Sequence, residues 1–225
     1  AAELPDAGDA TVVAFARDGV LRAAWTLVDP IDPNAREVVA ALLRRRLDVA
    51  IVTGDRRAAA SAVAAQLHVL QDHVHAECSP VRKAEIVTEH ERAGSPVLFV
   101  GDGFNDAAAL AAASVGAAMG AGESGGGTDL ARAAGRLILL RGELPDVLVA
   151  LDVAKATVRT IAQNLLLAVA YNVVAIPWAM GLLARFGVVS PEPSTAGLAM
   201  AASSLAVVLN AFRLSLASAR FGSRR

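Results

Sequence analysis

Two carboxylates four residues apart close the string Val97-Leu-Phe-Val-Gly-Asp-Gly-Phe-Asn-Asp106. Asp102 and Asp106 are oxygen donors of the kind that hold a hard divalent cation, and the amide of Asn105 can bond a phosphoryl oxygen. A second cluster, Thr53-Gly54-Asp55, ends the apolar run that starts at Leu47. There a hydroxyl, a glycine that admits close backbone approach and the free N–H groups of a helix start all suit an anion. Lys83, three residues beyond Pro80, can act as a point charge that neutralises a phosphate.

Elements that deliver such groups must end in one place. Short apolar runs at Thr11 to Ala16, Leu21 to Val28, Leu47 to Thr53, Val97 to Val100 and Val115 to Met119 read as strands. Between them, Asn34 to Arg46, Arg57 to Leu67, Val81 to Ala93 and Asp106 to Ala113 read as helices. Asp32 before Pro33 and Ser79 before Pro80 are expected N-caps. The alternation predicts an α/β fold, a mainly parallel sheet covered on both faces, with its site beyond the carboxyl ends of the strands. Gly120 to Gly127 reads as a loop.

The 225 residues are 55% apolar and carry 21 basic against 22 acidic side chains. That balance argues against a basic nucleic-acid-binding face, and the apolar content excludes a disordered chain. Cys78, the single cysteine, rules out an internal disulfide framework, and no signal peptide is apparent at the start. The absence of an initiator Met suggests a processed product or a fragment. His73 and His75 alternate near Cys78 among polar neighbours and read as surface residues rather than a metal site. Charge vanishes from Thr160 to Ala184 and again from Pro193 to Phe212. Each stretch reaches the ~20 residues a helix needs to cross a bilayer. Lys155, Arg159, Arg213, Arg220, Arg224 and Arg225 lie outside this hairpin and Arg185 alone inside it, so both chain ends are expected on the cytoplasmic side.

Thr53-Gly54-Asp55, then Pro80-x-x-Lys83, then Gly101-Asp-Gly-Phe-Asn-Asp-Ala-Ala-Ala-Leu110, followed by membrane spans, closely resembles the phosphorylation domain of P-type ATPases, which has the haloacid-dehalogenase-like fold. By that likeness Asp102 and Asp106 serve a Mg²⁺ site, Asp102 more directly. Thr53, Lys83 and Asn105 contact the phosphoryl group transferred from ATP, and Gly54 and Asp55 support their loop. Tyr171-Asn172 with Pro177 in one span, and Met200 with Ser203 and Ser204 in the other, look like the paired signatures of the copper-exporting branch. They imply monovalent copper as cargo, with Met200 as a soft donor. Pro177 is expected to kink its helix.

The resemblance also divides the chain: residues 1–28 enter the phosphorylation domain, 29–158 form it together with a stalk from Leu144 to Gln163, 159–213 form a transmembrane hairpin in the plasma membrane, and 214–225 a cytoplasmic tail. Departures accompany it. Ala108 stands where the family usually has Pro, Asp32 where Arg is frequent and Gly135 where Asp is common, and Gly120 to Asp129 is longer than the usual Gly-x-Gly-Thr-Asp. The sequence holds no DKTGT string, the family's phosphorylated segment, nor its actuator domain, nucleotide-binding domain or Cys-Pro-Cys helix. The chain alone is therefore expected not to form an aspartyl phosphate. The alternative is a silent membrane-anchored module that binds Mg²⁺ or a partner pump. A small-molecule phosphatase of the same fold would need a D-x-D nucleophile, which is lacking.

Overall fold

The computed structural model describes residues 11–27, 30–101, 104–120, 136–187, 189 and 192–221. Two compact units divide it, one ending at Leu148 and the other beginning at Val149.

The first unit opens with an antiparallel hairpin, β1 (Thr11–Arg17) and β2 (Val20–Leu27). From there helices and strands alternate. Helix α1 (Ala35–Arg44) buries Ala35, Val38 and Val39, the three- and four-residue spacing of one apolar face. Strand β3 (Ile51–Val52) leads to α2 (Arg57–Leu67), which buries Ala60 and Ala64 and ends at His68 in the left-handed conformation. Strand β4 (Val74–His75) lies parallel to β3. Helix α3 (Pro80–Arg92) is followed by β5 (Leu98–Gly101), the short helix α4 (Ala107–Ala112), β6 (Val115–Met119) and β7 (Leu137–Leu139). The last three strands form a parallel sheet ordered β5-β6-β7.

Two small cores hold these layers. Val39, Ala60, Ala64, Val69 and Val74 pack around β4, while Val87, Phe99, Ala109, Leu110, Ala113 and Ala118 pack around β5 and β6. The alternation read from sequence stands, with three differences. The run from Leu47 pairs only at Ile51 and Val52, because its partner offers only Val74 and His75. Strands β4 and β7, two and three residues long, are too brief to show a period. Asp32 does not cap α1: the helix starts at Ala35 with Asn34 at its N-cap, and Asp32 Oδ1 accepts the N–H of Asn34 at 2.7 Å. Ser79 caps α3 as expected, accepting from Arg82 N at 3.2 Å. The expected Gly120 to Gly127 loop falls, apart from Gly120, outside the described residues, as do Asp129, Gly135 and Asp102.

The second unit holds most of α5 (Asp146–Ala179) and all of α6 (Pro193–Phe221), joined through a 3-10 turn at Leu182–Phe186. Both helices are long and apolar enough to cross a membrane, over Asp146–Ala179 and Gly197–Leu214. Their apolar side chains face outward: Leu165, Leu166, Val173, Val174, Leu198 and Leu205 are all exposed. The first helix runs unbroken from the expected stalk into the expected span. Pro177 lies inside it, two residues from its end, where it withholds one bond from the preceding turn. Gly181, at φ 74°, then closes the helix.

Candidate functional site

Site residues sit where strands end and helices begin. After β3, Thr53 Oγ1 donates to Asp55 Oδ2 at 2.7 Å and accepts the Asp55 N–H at 3.1 Å, so this pair closes on itself. Its backbone is tied to the segment entering α3: Cys78 N donates to Thr53 O at 2.9 Å and Glu77 N to Asp55 O at 2.8 Å. Gly54 lies beside that segment with room to spare, since a Cβ on it would meet the Cys78 carbonyl at 3.5 Å, an ordinary contact. One residue further, Ser79 caps α3, and Lys83 N donates to Ser79 O at 3.0 Å. The β3 tip therefore holds the base of the helix turn from which Lys83 projects.

Lys83 is committed to the other cluster. Its Nζ donates to Asp106 Oδ1 at 2.7 Å, with only 14% and 11% of the two side chains exposed. Asp106 stands at the N-cap of α4 yet makes no capping bond; its carboxylate goes to the lysine. Gly101 makes this possible. A Cβ on Gly101 would fall 2.7 Å from Asp106 Oδ2 and 2.9 Å from Asp106 Cβ, so any larger residue would displace the carboxylate. Asn105 is exposed in the 3-10 turn Phe104–Asp106. Among the described residues no hydrogen bond runs from Thr53 or Asp55 to Lys83 or Asp106.

A carboxylate missed by sequence reading fixes the far end of α3. Glu91 Oε1 accepts from Val97 N at 2.9 Å and Ser114 N at 2.6 Å, and Oε2 accepts from Ser114 Oγ at 2.8 Å. These bonds, from Val97 first and then Ser114, hold the Glu91 carboxyl below its ordinary pKa. No local pattern announces them, because Ser114 lies 23 residues away.

His68 and His90 are exposed, in keeping with the surface reading, whereas His73 and His75 are half-buried and Cys78 is buried. His73 Nδ1 lies 3.3 Å from Val49 O. Burial, then the neighbouring His90 and Arg82, push His75 below its ordinary pKa. Among the described residues no group of three or more His, Cys, Asp or Glu is arranged to hold a metal. For a hard cation the donor chemistry nevertheless fits. Asp106 presents buried carboxylate oxygens, and Oδ2, turned toward Gly101, is not the atom bonded to Lys83.

In the second unit Tyr171, Asn172 and Met200 line one pocket of about 410 Å³, together with Ala175, Trp178 and Ala199. Ser203 and Ser204 do not line it. Ser204 Oγ donates to Met200 O at 3.2 Å along its own helix, while Ser203 is half-buried. The structure thus groups three of the five residues expected to meet the metal.

A family model described as haloacid dehalogenase-like hydrolase matches residues 1–114. The cation-transporting P-type ATPase B of Mycobacterium tuberculosis is 45% identical over 205 residues, 91% of this chain and 25% of that protein. The probable copper-transporting ATPase PacS of Synechococcus elongatus is 42% identical, over 93% of this chain and 27% of its own. Copper-transporting ATPase 2 of Mus musculus is 41% identical, over 91% and 13%. Among solved structures, a zinc-transporting PIB-type ATPase in its E2.Pi state superposes with a TM-score of 0.73 at 28% identity, covering 93% of this chain and 32% of that one. The chain spans about a quarter of the length of the bacterial relatives it matches.

Proposed function

The chain belongs to the haloacid dehalogenase-like hydrolases, within the P-type ATPases, and from that premise we propose that it is the carboxyl-terminal portion of an ATP-driven exporter of monovalent copper. One concurrence carries this reading. A buried Lys83–Asp106 bridge at a strand end and a Tyr171–Asn172–Met200 pocket between two membrane-length helices occur in one chain similar to copper-transporting pumps.

In the soluble unit, Asp102 and Asp106 would hold Mg²⁺, which when bound would neutralise charge on the transferring phosphoryl group. Lys83 brings its ammonium to the same place and would share it between Asp106 and a phosphoryl oxygen. Asn105, exposed beside them, would donate its amide. The Thr53 hydroxyl proton is spent on Asp55, so a contact from Thr53 to phosphate requires the hydroxyl to turn. Asp55 keeps the loop closed meanwhile, and Gly54 lets the backbone come near.

In the membrane unit, Met200 offers a thioether suited to a soft monovalent cation. Tyr171 and Asn172 face the same pocket, and Ser203 and Ser204 stand one turn along. Residues 29–158 would form the phosphorylation domain and stalk, 159–213 the plasma-membrane hairpin, with 1–28 and 214–225 cytoplasmic, the orientation favoured by the exposed Lys155, Arg159 and Arg213. The remaining parts of the pump, with the phosphorylated aspartate, would come from outside these 225 residues.

Because the sequence lacks a DKTGT string, the purified chain incubated with radiolabelled ATP and copper should take up no acid-stable, hydroxylamine-sensitive label. Label on the protein would overturn that. In the complete pump, Met200→Ala should reduce copper-dependent turnover about tenfold or more, and unchanged turnover would misplace the membrane site. A second reading is a silent module that binds Mg²⁺ at Asp106, whose Oδ2 is not the atom bonded to Lys83. Binding of Mg²⁺ by the isolated chain, with no gain of activity when the other half is supplied, would select it.

A further inference from the structure

Three amide side chains meet between the two membrane-length helices. Asn210 Nδ2 on α6 donates to Asn164 Oδ1 on α5 at 2.8 Å and lies 3.4 Å from Gln163 Oε1. These side-chain hydrogen bonds join α5 to α6. In the same unit Trp178 Nε1 donates to Val189 O at 2.9 Å and ties α5 to the connecting loop.

The bridge shares a face with the pocket. Eleven residues separate Asn164 from Ala175, and eleven separate Ala199 from Asn210. At 3.6 residues per turn eleven residues make just over three whole turns, about 16.5 Å. Ala175 is therefore on the same face of α5 as Asn164, and Ala199 on the same face of α6 as Asn210. Both alanines line the pocket that holds Tyr171, Asn172 and Met200. Half-buried positions follow the same stripes: Asn164, Ala168, Tyr171 and Ala175 on α5, then Ala199, Ser203, Val207 and Asn210 on α6. Their three- and four-residue spacing is that of two helices facing one another.

Apolar side chains alone do little to fix such a register in a bilayer, since lipid tails solvate Leu and Val as well as a neighbouring helix does. Amides differ, because a slip of one residue, 1.5 Å and 100°, leaves polar atoms in hydrocarbon without partners. We propose that Asn210, through Asn164, is a positioning residue that locks α6 against α5 in the register that sets Met200 opposite Tyr171 and Asn172. The pocket's part in metal transport rests on the function proposed above; the lock itself does not.

The test uses the full 225-residue chain in lipid bilayers, with Cys78→Ala removing the native thiol. Cysteine pairs at Ala175 and Ala199, in register, and at Ala175 and Ser203, one turn out of register, are treated with a short bifunctional thiol reagent. Asn210→Leu should lower the in-register yield about three- to tenfold and raise the out-of-register yield. Asn210→Gln, which keeps an amide, should restore much of the original pattern. The gain at the second pair guards against a variant that merely fails to insert. An unchanged ratio of the two yields in Asn210→Leu overturns the lock, as does a uniform loss that Asn210→Gln does not rescue. Titration with Ag⁺ as a soft monovalent probe, in the Cys78→Ala background without added cysteines, separates the two readings. Shifted cross-links with weakened Ag⁺ binding are the expected result. Shifted cross-links with unaltered Ag⁺ binding sustain the lock and overturn the placement of the metal at this pocket.

Discussion

At the residue scale the decisive choice is made by Asp106. An aspartate at a helix start normally caps it, yet this one gives its carboxylate to Lys83 and packs against Gly101. Burying both charges costs hydration, offset only while each has the other. Lys83→Met should therefore destabilise the first unit by about 3–5 kcal/mol, read from urea unfolding followed by circular dichroism. Adding Asp106→Asn to that variant should recover part of the loss, because the orphaned charge is gone. Gly101→Ala is expected to displace the same carboxylate and to weaken Mg²⁺ binding by the chain several-fold with little loss of helix, measured by calorimetry. If binding is intact, Asp106 is not among the cation's ligands.

Between elements, helix α3 is held at both ends: Lys83 ties its start to Asp106 at the start of α4, and Glu91 ties its end to Val97 just before β5 and Ser114 just before β6. The Glu91 tie is pH-dependent in a definite direction. Its carboxyl is held below the ordinary value by the bonds from Val97 and Ser114. The stabilisation is thus complete above the unfolded-state pKa, near pH 4.3, and is lost as pH falls through the lower folded value. The thermal midpoint of the chain should decline more steeply below about pH 4 than that of Glu91→Gln, with the two curves parallel at neutral pH. Parallel curves at every pH would mean that the three bonds do not favour the ionised form.

For the whole molecule, the two units ask for different solvents. The core of the first is water-excluded and small, whereas Leu166 and Val174 of the second are 68% and 64% exposed. A bilayer is the environment that makes such exposure favourable. Leu166→Asp should cost about 2.5–3.5 kcal/mol of insertion and shift the chain from the carbonate-resistant membrane fraction toward the soluble one. Persistence of full membrane association would mean that α5 is not inserted at that level.

Much of this was readable in the linear chain because it depends on local chemistry. The three motif strings, the Ser79 cap with Pro80, the strands at β1, β2, β5 and β6, and the two uncharged runs each express a preference that neighbouring residues settle among themselves. Other features depend on partners distant in sequence. The pairing of Lys83 with Asp106 spans 23 residues, the Glu91 tie likewise, and the Asn210 bridge spans 46. Strand β7 forms against the longer β6, while β3 and β4, two residues each, exist only by pairing with one another. Sequence by itself determined which groups were present and where the longer helices and strands would lie. Tertiary structure alone decided which charge met which, since an ion pair or an amide bridge is specified by closure of the chain, and no periodicity along it records that closure.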